Sequence, residues 1–173
     1  MYRRYGLILP AGLAALAALL YFHTSEEEQI LEQLEALRTL AEVRSPEGGL
    51  EQLARAKQMG GFFTERTYFD LSSTGHKNIE IPDRQELVQR ITRGRARLAA
   101  LELAVQNPQV SIAGDSARVR LQGSALGSIK GEQGQFLEIH AVEVLLEKAA
   151  GDWLVSGAVH LRDERQPPPE PGP

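Results

Sequence analysis

Ala99-Ala100-Leu101-Glu102-Leu103-Ala104-Val105 and, past Asn107-Pro108, Val110-Ser111-Ile112-Ala113-Gly114-Asp115-Ser116-Ala117-Arg118-Val119-Arg120-Leu121 form the stretch whose reading decides the fold. Apolar residues recur at every second position. Leu101, Leu103 and Val105 alternate with Glu102 and Ala104, and Ala117, Val119 and Leu121 alternate with Arg118 and Arg120. A period of two marks strands with one buried face. Gly114-Asp115 between them reads as a hairpin turn, and Asn107-Pro108 as a break in the first strand.

Toward the C-terminus, the glycine-rich segment Gly123–Gly134 reads as a flexible loop between strands. A long strand from Phe136 to Lys148 follows. Ala149-Ala150-Gly151-Asp152 turns the chain, and Trp153-Leu154-Val155 with Val159 and Leu161 returns it. Residues 166–173, QPPPEPGP, read as a disordered tail.

Toward the N-terminus the period becomes helical. Ser25-x-x-Glu28 is a capping box, with Thr24-x-x-Glu27 as a second register of it. Ile30, Leu34, Leu37 and Ala41 then recur on one face, with glutamates on the other, until about Val43. A shorter helix carries Leu50, Leu53 and Ala54 and stops at Gly60-Gly61. Tyr68-Phe69-Asp70-Leu71 and Ile79-Glu80-Ile81 read as short strands. Asp83, with Glu86 three residues on, opens a third helix whose end carries Arg90, Arg93, Arg95 and Arg97, read as a solvated helix terminus. Helices gathered before a run of hairpins predict an α+β domain, three helices packed on a curved antiparallel sheet, over residues 25–165.

Residues 1–24 form a separate unit. An apolar run from Tyr5 to Phe22, eighteen residues at about 1.5 Å each, gives about 27 Å, close to a bilayer's hydrocarbon core. Arg3 and Arg4 precede it and Glu26, Glu27 and Glu28 follow, so the positive-inside rule predicts a cytoplasmic N-terminus and an extracytoplasmic domain. The expectation is a single-pass anchor contacting lipid through residues 5–22 in the cell inner membrane, with the domain periplasmic. A cleaved signal peptide fits less well, because Ala15-Leu16-Ala17 lies inside the apolar run and the exit reads Leu-Leu-Tyr-Phe-His.

Composition narrows the function. The chain of 173 residues has 42% hydrophobic and 24% charged residues and a net charge of −4. Its basic residues form no dense stripe, which argues against nucleic-acid binding. With no cysteine, disulfides, thiolate metal sites and cysteine nucleophiles are absent. His23, His76, His140 and His160 show no metal-ligand spacing along the chain, so the sequence predicts neither metal nor cofactor. Gly123, Gly127, Gly131 and Gly134 lack the Gly-Lys-Ser/Thr of a phosphate loop.

The three-helix opening, the Pro82-Asp83-Arg84-Gln85-Glu86-Leu87 helix entry, the Gly114–Val119 hairpin and the closing Ala150-Gly151-Asp152-Trp153-Leu154-Val155 turn together resemble the nuclear transport factor 2-like superfamily. This is the cystatin-like α+β cone that also includes ketosteroid isomerases and scytalone dehydratase. The resemblance covers about residues 25–163. It implies a cone whose mouth can hold a small apolar ligand, or a sheet that can bind a protein partner or form a homodimer.

Such a cone places polar candidates on its strands: Tyr68 and Asp70 on the first, Glu138 and His140 on the long one. Glu138 and His140, two apart, share a face. They can form an acid–base pair in a semi-apolar pocket, or lie on an outer, solvated face opposite Leu137 and Ile139; the second reading is the expectation. No full catalytic constellation is legible. The sequence therefore predicts a ligand- or partner-binding domain without catalysis, and keeps an isomerase- or dehydratase-like enzyme using Tyr68, Asp70, Glu138 or His140 as the alternative. A third reading makes the first helix a self-associating stalk.

Overall fold

The computed structural model describes residues 25–162. The apolar run 5–22 and the tail 166–173 lie outside the described residues, among which no helix is long and apolar enough to cross a membrane.

Helix α1 spans Glu26–Ala41 and starts at the expected capping box. The Glu28 N–H donates to Ser25 Oγ at 3.1 Å, and the Ser25 N–H donates to Glu28 Oε2 at 3.0 Å. Three glutamates in the first turn complement the helix dipole. Its inner stripe is the fully buried Ile30 with Leu34 and Leu37, packed on Val119, Leu146, Trp153 and Val155.

Helix α2, Gly49–Gly60, presents a different face from the one its leucines suggest. Leu50 is 87% exposed, while Gln52, Ala56 and Gly60 are buried. The small side faces the helix α3, Arg84–Arg97, because the two backbones approach closely. A Cβ on Gly60 would stand 2.8 Å from Val88 Cγ2. Helix α3 begins as expected, with the Glu86 N–H donating to Asp83 Oδ1 at 2.7 Å.

Arg95 corrects the reading of that helix's end. It is 4% exposed, and its guanidinium donates to the carbonyls of Leu40 (3.1 Å), Ala41 (2.8 Å) and Glu42 (3.0 Å) and to Glu47 Oε1 at 2.6 Å. Carbonyls at a helix C-terminus have no intrahelical donor, and Arg95 supplies one from another helix. Next to it, Glu42 is held below the ordinary carboxylate range by Arg44, opposed by burial and helped by the Leu103 N–H and Arg38. Val43 then fixes the end of α1 to the sheet through reciprocal 2.9 Å hydrogen bonds with Leu101.

The strands are β1 (Phe63–Asp70), β2 (Ile79–Ile81), β3 (Leu98–Ala113), β4 (Ser116–Ile129), β5 (Phe136–Ala149) and β6 (Asp152–Leu161), with a short helical turn at Ser72–Thr74 after β1. Their order is β2-β1-β6-β5-β4-β3. The sheet is mixed rather than antiparallel, because β1 runs parallel to β6. Hairpins oblige β3–β4, β4–β5 and β5–β6 to be antiparallel, but β1 and β6 are distant in the chain and no turn fixes their relative direction.

The glycine-rich segment is also corrected, since β4 continues through Gly123 and Gly127 to Ile129. A Cβ on Gly127 would stand 2.8 Å from the Ala100 carbonyl oxygen and 2.9 Å from Phe136 Cε1, so this glycine serves close packing and not flexibility. Asn107, at φ 51°, makes the bulge that the Asn107-Pro108 break announces.

Candidate functional site

The three helices cover one face of the sheet, and strand register tells which side chains share it. Val110, Val119, Val144, Ala158 and Phe69 form one row on the helix-covered, concave face. Two residues further along β5 the next row is Leu121, Val142 and His160. Beyond it come Val105, Gly123 and His140, then Leu103, Ala125 and Glu138. These last rows form the open end of the cone, where Val105 is 41% exposed.

Glu138 and His140 therefore lie on the concave face, not the outer one, although both are exposed. Tyr68 and Asp70 lie on the other face: Tyr68 aligns with Gly157 and Leu145, and Asp70 with Val159 and Glu143. Both are engaged locally. Asn78 Nδ2 donates to the Tyr68 hydroxyl at 2.6 Å, and the Ser72 N–H donates to Asp70 Oδ1 at 2.9 Å. The hydrogen bonds from Ser72 hold the Asp70 carboxyl below its ordinary value. The four candidates thus divide between the two faces of the sheet.

Two residues outside the four candidates, His160 and Ser73, join the concave pair. His140 Nδ1 lies 2.9 Å from His160 Nε2, with the rings at 70°. His140 Nε2 is 3.3 Å from Glu138 Oε2. At the far end, Ser73 Oγ is 2.6 Å from His160 Nδ1 and 2.7 Å from the His160 carbonyl oxygen. Glu138, His140, His160 and Ser73 form one continuous chain.

Donor counting limits its states. The carbonyl only accepts, so a Ser73 proton directed at it obliges His160 Nδ1–H to donate to Oγ. His160 Nε2 then accepts from His140 Nδ1–H, and His140 Nε2 satisfies Glu138 only if it too carries a proton. If the serine proton turns to His160 Nδ1, both bonds of the His160 ring reverse, His140 Nε2–H still donates to Glu138, and both rings are neutral. The two arrangements differ by one proton. Burial, with His140 as the lesser cause, holds His160 below its ordinary value.

His160 was hidden from sequence by a bulge. Counting back from the turn pairs Leu146 with Val155 and would put His160 opposite Ala141, on the convex face. The register shifts between Leu145 and Leu146, Leu145 pairs Gly157, and His160 lands opposite Val142. Gly157 is required there, because the Tyr68 carbonyl occupies the space a Cβ would need.

No group of three or more His, Asp or Glu among the described residues is arranged to hold a metal ion. A cleft of about 400 Å³ opens elsewhere, between Glu42–Arg44 and the β3–β4 edge at Leu101, Leu126 and Gln135, and includes none of these candidates.

The sequence has no match among curated proteins. A family model, the SnoaL-like domain, matches residues 47–158, and the chain belongs to that family. Solved structures share the fold. A nuclear transport factor 2-like protein with a cystatin-like fold from Novosphingobium aromaticivorans aligns at TM-score 0.58 and 16% identity, over 93% of this chain and 94% of its own. A protein from the same organism, provisionally described as a scytalone dehydratase, gives 0.63 and 11%, over 78% and 82%. A protein of unknown function with a cystatin-like fold from Nostoc punctiforme gives 0.56 and 12%, over 82% and 94%.

Proposed function

We propose, with membership of the SnoaL-like family as the premise, that this chain is a membrane-anchored, extracytoplasmic domain that binds a small apolar ligand in the mouth of its cone without transforming it. The observation that carries the reading is the division of Tyr68 and Asp70 from Glu138 and His140 by the sheet. Acid–base catalysis needs its groups around one reacting centre. What the concave mouth offers instead is mostly apolar, Leu103, Val105, Leu121, Ala125 and Val142, with the histidine chain at one side as the polar anchor. Mostly apolar walls with few polar groups are the usual composition of a small-molecule site. The anchor part of the reading rests on residues 5–22 and the charge difference across them.

One observation favours a second reading. The Glu138–His140–His160–Ser73 chain can take up and release a proton, as an isomerase- or dehydratase-like enzyme would require.

The test uses the full chain in nanodiscs, with 2-naphthol as binding probe and 2-tetralone in D2O as an enolisable ketone. Binding predicts saturable amide shift changes centred on Val105, Ala125 and His140, with no His140-dependent deuterium exchange of the ketone. Exchange that is lost in His140→Gln moves the assignment to the enzyme; shifts centred away from the mouth reject the site. Protease treatment of intact spheroplasts tests topology. Digestion of the domain in intact spheroplasts supports an extracytoplasmic location, and protection refutes it.

A further inference from the structure

We propose that His140 and His160 form a two-imidazole binding site for a divalent transition-metal ion with tetragonal preference, Cu²⁺ being the best fit. The outer nitrogens of both rings face acceptors: His140 Nε2 faces Glu138 Oε2 at 3.3 Å, and His160 Nδ1 faces Ser73 Oγ at 2.6 Å, whose own proton has the His160 carbonyl at 2.7 Å. With the Ser73 proton on the His160 carbonyl, each outer nitrogen carries a proton for its acceptor. Two neutral imidazoles in that tautomer leave their inner nitrogens unprotonated, 2.9 Å apart. That tautomer takes a cation between the rings, a proton or a metal ion in its place, whereas the alternative in which His160 Nε2–H donates to His140 Nδ1 takes none.

The spacing suits the metal. Two nitrogens bound at about 2.0–2.1 Å and at a right angle stand about 2.9 Å apart, the cis edge of a tetragonal ion, and tetragonal nitrogen–oxygen sites favour Cu²⁺. The supporting groups suit it as well. Ligating histidines ordinarily donate the other ring N–H to a carboxylate, carbonyl or similar acceptor, which orients the ring and raises its basicity. Here each histidine has such a partner, one a carboxylate and one a serine tied back to backbone. The His140 side chain is 46% exposed, so water can reach the remaining coordination positions. Sequence spacing could not announce the site, since its ligands come from β5 and β6 and meet only through the β-bulge.

The test uses the untagged full chain in detergent, with His23→Gln and His76→Gln to remove the other imidazoles, titrated with CuCl2 against glycine as competitor. One equivalent should bind with an electron paramagnetic resonance spectrum showing two nitrogen ligands. His140→Gln and His160→Gln should each weaken binding by about tenfold or more, and Ser73→Ala by about tenfold, with circular dichroism unchanged. A control needing no ligand variant is paramagnetic broadening in the folded chain, which should centre on the His140 and His160 ring resonances. Broadening centred elsewhere, or equal affinity in the double variant lacking both histidines, overturns the proposal.

Discussion

Replacing Arg95 by methionine tests the argument that a charge read as solvated is a structural clamp. The side chains of Arg95 and Glu47 are 4% and 5% exposed, 2.6 Å apart. Removing one partner of such a buried pair costs about 3–5 kcal/mol, chiefly because the other charge stays buried without compensation. Arg55 Nε, 3.1 Å from Glu47 Oε1, remains as a partial partner and sets the expectation at the lower end, about 3 kcal/mol. The carbonyls of Leu40, Ala41 and Glu42 lose their donor together, so the end of α1 should also loosen. For a chain of this length about 3 kcal/mol corresponds to a Tm lowered by about 6–12 °C. Urea unfolding is readable through Trp153, the one tryptophan, which is 2% exposed. Glu47→Gln should recover part of the loss in the Arg95→Met background, with a coupling energy of about 2 kcal/mol from the double-mutant cycle. A loss below about 1 kcal/mol, or strict additivity, would refute the clamp.

Thr67 is 2% exposed and its Oγ1 finds no hydrogen-bond partner among the described residues. Thr67→Val should therefore stabilise by about 1 kcal/mol in the same urea assay, and a loss would mean the hydroxyl is satisfied. Gly157→Ala should destabilise by about 1–3 kcal/mol and raise amide exchange in β1, because the new methyl meets the Tyr68 carbonyl; native exchange there would contradict the close approach. Glu42 has its folded-state carboxyl below the unfolded value. It contributes stability above about pH 4.5 that is lost as pH falls through the lower folded value. Acid unfolding of Glu42→Gln should show a flatter dependence in that window, and an unchanged slope would exclude the contribution.

Much of the architecture was legible because it is local. Ser25 and Asp83 announce helix starts through a side-chain oxygen three residues from a waiting N–H, and Gly114-Asp115 and Ala150-Gly151 announce hairpins. Where local pattern and packing compete, packing decides. Leu50 and Leu53 mark an apolar stripe, yet α2 turns its small residues to α3, because Gly60 and Ala56 allow the closer contact. Arg95 resembles its neighbours Arg93 and Arg97 in sequence and differs only in facing the end of another helix.

By itself, the sequence determined the order of helices and strands, the cone they belong to and the fact that Glu138 and His140 share a face. The local rules behind these, capping, turn chemistry and side-chain periodicity, act within a few residues. Tertiary structure alone decided which face that was, and which groups meet there. A side chain changes face with a one-residue change of register, and the bulge near Gly157 makes that change. It carries His160 across the sheet to His140, while the register of β1 on β6, with Phe69 opposite Ala158, leaves Tyr68 and Asp70 on the other side.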